Sequence, residues 1–137
     1  MKKLISLWVG ITLVLAGLQA GTPDKAVLDK GKKIYETYCF TCHQPQGQGL
    51  PGAFPPLAKS DYLVKNDKDT VIKSVIFGLQ GKITVNGNEY NNVMVPLPPN
   101  YTDADAAAVL TYVYNSWGNP GGVITEAMVS KVRKAGK

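Results

Sequence analysis

Cys39-Phe40-Thr41-Cys42-His43 is the stretch from which the fold is read. Its pattern, C-x-x-C-H, is the attachment signature for c-type haem. The spacing follows from the chemistry. Two thiols add across the two vinyl groups of a porphyrin, and two intervening residues let both sulfurs reach one edge of the ring. The next residue then carries its imidazole over the ring towards the iron, which makes His43 the candidate proximal ligand. Other readings of the pattern fit less well. A zinc site wants about four Cys or His ligands, and the chain holds two Cys and one His. A thioredoxin-like dithiol belongs in a β-α-β context, whereas here a helical pattern precedes the motif and a Gly/Pro loop follows it. A C-x-x-C disulfide would close a tiny loop and stabilise little.

The lone histidine also limits the sixth position on the iron. A second His from this chain is excluded, which leaves Met, another side chain, or nothing. Beyond the initiator, the methionines are Met94 and Met128. Met94 lies in Val93-Met94-Val95-Pro96-Leu97-Pro98-Pro99, a Pro-stiffened loop suited to holding a thioether against iron. Met128 lies in a terminal amphipathic segment, where a gap-filling core Met is the better reading. His/Met ligation is a standard c-type arrangement, so the expected cofactor site is Cys39, Cys42, His43 and Met94, with His43 and Met94 on the metal.

Upstream of the motif, Lys2 and Lys3 precede an uncharged apolar run from Leu4 to Leu18, and Ala20 offers a small residue at a cleavage point. Residues 1–20 therefore read as an export signal and 21–137 as one folded domain. The competing reading is an uncleaved anchor. Leu4 to Gly21 barely reaches the roughly 20 apolar residues that a bilayer span requires, so membrane attachment is expected only if the segment stays. Without Lys2 and Lys3 the chain keeps 13 basic and 10 acidic residues, a net of +3. That excess and the absence of a basic run with interleaved aromatics argue against nucleic acid as a partner.

Helical spacing of Val27, Leu28, Gly31, Ile34, Tyr35 and Tyr38 predicts a first helix from about Asp24 to Cys39, with Gly31 allowing another helix to approach closely. Gln44 to Lys59 reads as a Gly/Pro loop along one haem edge. Within it, a carbonyl of Pro55-Pro56 is placed to accept a bond from His43 Nδ1–H, or the segment is simply a rigid turn. A second helix is expected over Asp67–Phe77, closed by Gly78, and a hairpin over Ile83–Tyr90 around Asn86-Gly87. Tyr90 is placed either to reach a haem propionate or, the better reading, to pack across the strands. Thr102 caps a third helix that carries Val109, Tyr112 and Trp117, ends at Gly118 and crosses the first near Gly31. Thr125–Val132 reads as a short peripheral helix.

Taken together, these residues resemble the mono-haem class I cytochromes c, from about Gly31 to Gly118. Gly31 and Tyr35 are similar to the family's Gly/aromatic pair on the first helix, and Val109 and Tyr112 to its apolar/aromatic pair on the last. Pro55-Pro56-Leu57 is similar to its Pro-Leu element after the haem motif, and Met94 to its axial Met. Val95 departs from the family, where Pro often follows the Met. "GQGLPGAFPPLAKSDYL", "YNNVM" and "VLTYVYNSWGNP" resemble the bacterial branch associated with terminal reductases, oxidases and dehydrogenases. The resemblance implies an all-α fold wrapped around one covalent haem c, with a small β-hairpin and one haem edge exposed. It implies electron shuttling in the periplasm between redox protein partners, without enzymatic activity. The alternative is a haem-carrying subunit of a larger periplasmic reductase, oxidase or dehydrogenase. A gas- or peroxide-binding enzyme would need Met94 off the iron and an open distal pocket. Gln44–Ala58 and Asn91–Tyr101 contain no Asp, Glu, Lys or Arg. If both loops frame the haem edge, docking should depend only weakly on salt.

Overall fold

The computed structural model describes residues 21–136; the expected export signal lies outside them. Asp24 opens the first helix, its carboxylate accepting from Ala26 N–H at 2.8 Å. Helix α1 runs Lys25–Ile34. The chain does not stop at Cys39 as the sequence suggests. Tyr35–Cys39 forms one wide π turn, with Phe40 N–H donating to Tyr35 O, and α2, Phe40–His43, continues from it. Inserting a π turn changes the direction in which the following side chains leave the helix, and such turns gather at functional sites.

A short helix the sequence reading missed, α3 (Asp61–Lys65), is followed by α4 (Lys68–Phe77), whose N-cap Asp67 accepts from Thr70 N–H. Strands β1 (Ile83–Val85) and β2 (Asn88–Tyr90) pair antiparallel, Ile83 opposite Tyr90. Asn86 and Gly87 both take positive φ, 51° and 80°, as a tight primed hairpin turn requires. Helix α5 (Asp103–Tyr114) starts in a complete capping box between Thr102 and Asp105. It ends four residues before Gly118 because Asn115 Nδ2 takes up the Thr111 carbonyl and also reaches Gly122 O, each at 2.7 Å. Helix α6 (Glu126–Ala135) is not peripheral: Val129 and Val132 sit in the core.

The crossing of α1 and α5 organises the rest. A Cβ on Gly31 would lie 2.1 Å from Ala108 O, so only a glycine lets the two backbones meet. Around the contact, Tyr35, Tyr112 and Trp117 form a three-ring cluster with centroids 4.9–5.7 Å apart. Off-face packing of this kind adds about 0.5–1.5 kcal/mol per pair beyond area burial. Lys30 pairs with the half-buried Asp105 at 2.7 Å across the same crossing. Among the described residues no helix is long and apolar enough to cross a membrane.

Candidate haem-binding site

The wide turn sets the C-x-x-C-H segment against a cavity of about 460 Å³, within the range of about 300–1,000 Å³ usual for cofactor sites. Cys39, Cys42, His43 and Met94 all line it. So do Leu63, Val71, Val75, Leu110 and Val113 from three helices, and Ile83, Val85 and Tyr90 from the hairpin. No Asp, Glu, Lys or Arg is among the lining residues. Met128 is not among them either; it packs against the core, as its position in the sequence suggested. Tyr90 is both buried and cavity-lining, so its packing role and its access to the cavity coexist.

His43 is 8% exposed, and its Nδ1 lies 2.9 Å from the Pro55 carbonyl. A carbonyl can only accept, so Nδ1 carries the proton and Nε2 keeps its lone pair for a metal. Burial pushes the imidazole pKa down, against a smaller opposing effect of the Pro55 bond, and favours the neutral ligand form. The post-motif loop that brings Pro55 here is tightly tied. Gly49 N–H donates to His43 O, and Gly47 O accepts from both Leu57 and Ala58. Gln44, directly after the motif, has φ 65° and ψ 160°, a region close to glycine-only that costs about 1–3 kcal/mol. Its carbonyl is held by Tyr35 OH (2.7 Å) and Gly47 N–H (3.0 Å).

Burial, and then the nearby Cys42, push the Cys39 thiol up to about 12. A redox dithiol needs the reverse, a lowered pKa that supplies thiolate. Zinc fares no better: among the described residues no cluster of three or more His, Cys, Asp or Glu could hold a metal ion. What the donor set does fit is a flat apolar cofactor fixed by two thioethers, with one neutral imidazole presented to its metal.

Met94 reaches the cavity from a loop hung on other elements. It exchanges two 2.9 Å backbone bonds with Leu79, and Leu97 N–H donates to Val75 O. Tyr38 OH donates to Pro96 O at 2.8 Å, and Asn92 Nδ2 to Ala53 O at 3.0 Å. Gly78, with φ 76°, lets this segment close in: a Cβ there would lie 2.6 Å from Met94 O. Sequence reasoning found the loop from its prolines but none of these anchors. Tyr38 carried the one usable signal, as the member of the first helix's apolar face that falls in the turn before the motif.

A family model described as Cytochrome c matches residues 28–117. A cytochrome c-552 of Thermus thermophilus is 41% identical over 110 residues, covering 78% of this chain and 69% of that protein. A second Thermus thermophilus cytochrome c-552 is 44% identical over 92 residues, covering 65% and 69%. The cytochrome c subunit of a quinone alcohol dehydrogenase from Gluconobacter oxydans is 28% identical over 108 residues, covering 77% of this chain but only 22% of that protein. The match runs from the first helix through the haem motif to the end of the crossing helix, the same elements that enclose the cavity, and the chain accordingly belongs to the mono-haem class I cytochromes c, electron-transfer proteins that carry a covalent haem c.

Proposed function

We propose that this chain is an exported electron shuttle in which Cys39 and Cys42 bind the haem, His43 and Met94 ligate its iron, and no substrate is turned over. The observation that carries the reading is convergence. Side chains about fifty residues apart in sequence line one uncharged cavity, and the Pro55 carbonyl fixes the tautomer of the histidine. When bound, haem supplies a one-electron iron couple. The protein's part is to hold and enclose it. The Pro55 bond orients His43 and strengthens it as a donor. The Leu79 and Tyr38 anchors hold the Met94 thioether at the cavity, where a soft neutral ligand favours reduced iron. An apolar wall without counter-charges disfavours the additional positive charge of oxidised iron. Both push the midpoint potential upward, to a positive value.

The test is an optical spectrum of the oxidised holoprotein. A far-red band from Met–iron(III) charge transfer is expected, lost in Met94→Ala while the Soret band stays. A band that survives Met94→Ala and disappears in Met128→Ala would overturn the ligand assignment. Export is supported by Lys2, Lys3 and the apolar run that follows, and the location proposed is the periplasm. Intact mass of the exported protein tests this together with attachment: residues 1–20 should be gone and one haem added. The likeness to a dehydrogenase's cytochrome subunit favours a second reading, a fixed subunit of a larger complex. Stable co-purification with a large redox subunit would select it over the free shuttle.

A further inference from the structure

Self-bonds give the post-motif loop its shape, but its far end is fixed by a side chain beyond α5. Asn119 Nδ2 donates to Leu57 O and to Val113 O, each at 2.8 Å, and Asn119 Oδ1 accepts from Ser60 N–H at 3.2 Å. The two carbonyls can only accept and the backbone N–H can only donate, so this orientation of the amide is the one that satisfies all three. One half-buried side chain thereby joins the loop, the N-cap of α3 and the last turn of α5. Leu57, Ser60 and Val113 line the cavity, whereas Asn119 stands behind them and is not among the lining residues. The chain is bent to put it there. Just after α5, Trp117 and Gly118 take φ of 50° and 76°. Left-handed backbone is unfavourable for a residue with a side chain and persists where the surroundings hold it. Here the Trp117 ring packs on Gly47, where a Cβ would come within 2.6 Å of it, and Trp117 O accepts from Lys59 N–H.

We infer that Asn119 is a positioning residue for His43: it fixes Leu57 and, through Pro55-Pro56, the carbonyl that holds the imidazole. The inference rests on the haem reading of the cavity, and it concerns a residue outside the family match, which ends at residue 117. The link is short and stiff. Pro55 O lies 2.9 Å from His43 Nδ1. Both prolines have φ locked by their rings, so a displacement of Leu57 is carried to Pro55 rather than absorbed on the way. Asn119 acts only through that carbonyl. A firmly held acceptor makes the imidazole a stronger donor, which favours oxidised iron. The Pro55 bond thus offsets part of the upward push on the potential that the apolar wall and the Met94 thioether exert.

The experiment compares two asparagines that follow the same helix. Asn119→Ala removes the clamp. Asn115→Ala removes a side chain that also bonds two carbonyls, Thr111 O and Gly122 O, but none in the post-motif loop. The readouts are NMR of the reduced holoprotein and redox titration. In Asn119→Ala, His43 Nδ1–H should exchange with solvent about tenfold or more faster than in wild type. The ratio of reduced to oxidised protein at a fixed electrode potential should rise about threefold or more, as the weaker donor favours reduced iron. Asn115→Ala should unfold at lower guanidinium and leave both quantities within about twofold of wild type. Unmoved exchange and potential in Asn119→Ala, or equal shifts in Asn115→Ala, overturn the proposal and leave Asn119 a structural tie. If Asn119→Ala does not fold, the wild type decides. Under rising sub-denaturing guanidinium, His43 Nδ1–H and Ser60 N–H should exchange as one unit. Release of Nδ1–H at lower denaturant than Ser60 N–H would overturn the proposal, because the histidine bond would then open with the clamp still closed. The Soret and far-red bands keep the two readings apart: their absence from wild-type protein strikes at the haem site, whereas normal bands with unmoved His43 signals strike at the role of Asn119 alone.

Discussion

The loop that serves His43 and the loop that carries Met94 are both rich in Gly or Pro and free of charge, yet they are held in opposite ways. Residues 44–59 are folded on themselves: His43 to Gly49, Gln44 to Gly47, Leu50 to Phe54, and Gly47 to Leu57 and Ala58 are all bonds within one short stretch and the motif. Residues 91–101 have one internal bond, Tyr101 N–H to Pro98 O, and otherwise depend on Leu79, Val75, Tyr38 and Ala53. The first loop continues a buried helix end and tolerates a strained Gln44. The second leaves Val93 and Val95 open to solvent on either side of Met94. Segments with few self-contacts and exposed backbone open at lower free energy than the global fold. On the proposed ligand assignment, His43 is held by the fold itself, and Met94 is expected to leave the iron without unfolding.

Gly49→Ala should break the self-folded loop, with the largest effect of the series. Gly49 has φ 66°, and a Cβ there would lie 2.4 Å from Phe54 O and 2.8 Å from Pro55 O. Neither carbonyl is free to retreat, because Phe54 O accepts from Leu50 and Pro55 O from His43. Left-handed strain and overpacking together predict about 3 kcal/mol or more lost from global stability, measured by denaturant unfolding followed at the Soret band. Gly78→Ala is the matching change on the other side. Its φ and ψ, 76° and 175°, cost a non-glycine residue about 1–3 kcal/mol, and its Cβ would press on Met94 O. The hung loop can give way, so the expected result is loss of the far-red band with the helical circular dichroism largely kept. If Gly78→Ala unfolded the protein outright, or Gly49→Ala removed only the far-red band, the contrast between the loops would be wrong.

How much of this was legible in the sequence follows from where each determinant lies along the chain. The Thr102 cap and the Asn86-Gly87 turn each place their chemistry within a few consecutive residues, and each was read correctly; the equally local C-x-x-C-H segment was enough to point to the family that matches. Gly31 was legible because a glycine on an otherwise apolar helix face needs a packing reason, and Ala108 supplies it. The π turn was not, since a shift from i−4 to i−5 bonding leaves the pattern of apolar residues almost unchanged. The early end of α5 depends on an Asn115 side chain choosing backbone partners at Thr111 and Gly122. Burial of Val129 and Val132 depends on α6 folding back against α4 and α5. The anchors of the Met94 loop were equally invisible: a tyrosine and a carbonyl 58 positions apart, Tyr38 and Pro96, carry no shared local signal.

Tyr38→Phe sharpens the comparison with the smallest perturbation. It removes one hydroxyl that donates to Pro96 O at 2.8 Å and leaves the ring, which lies 6.3 Å from that of Tyr101, in place. A single hydrogen bond of this kind contributes about 0.5–1.5 kcal/mol net, and here that loss falls on the loop alone. In guanidinium titrations the far-red band of the wild type should disappear before the helical signal does. In Tyr38→Phe the first transition should move to lower denaturant while the second stays within about 0.5 kcal/mol of wild type. Coincident transitions in both proteins would mean that the Met94 loop and the helical core open as one unit, and that the different bonding of the two loops has no energetic consequence.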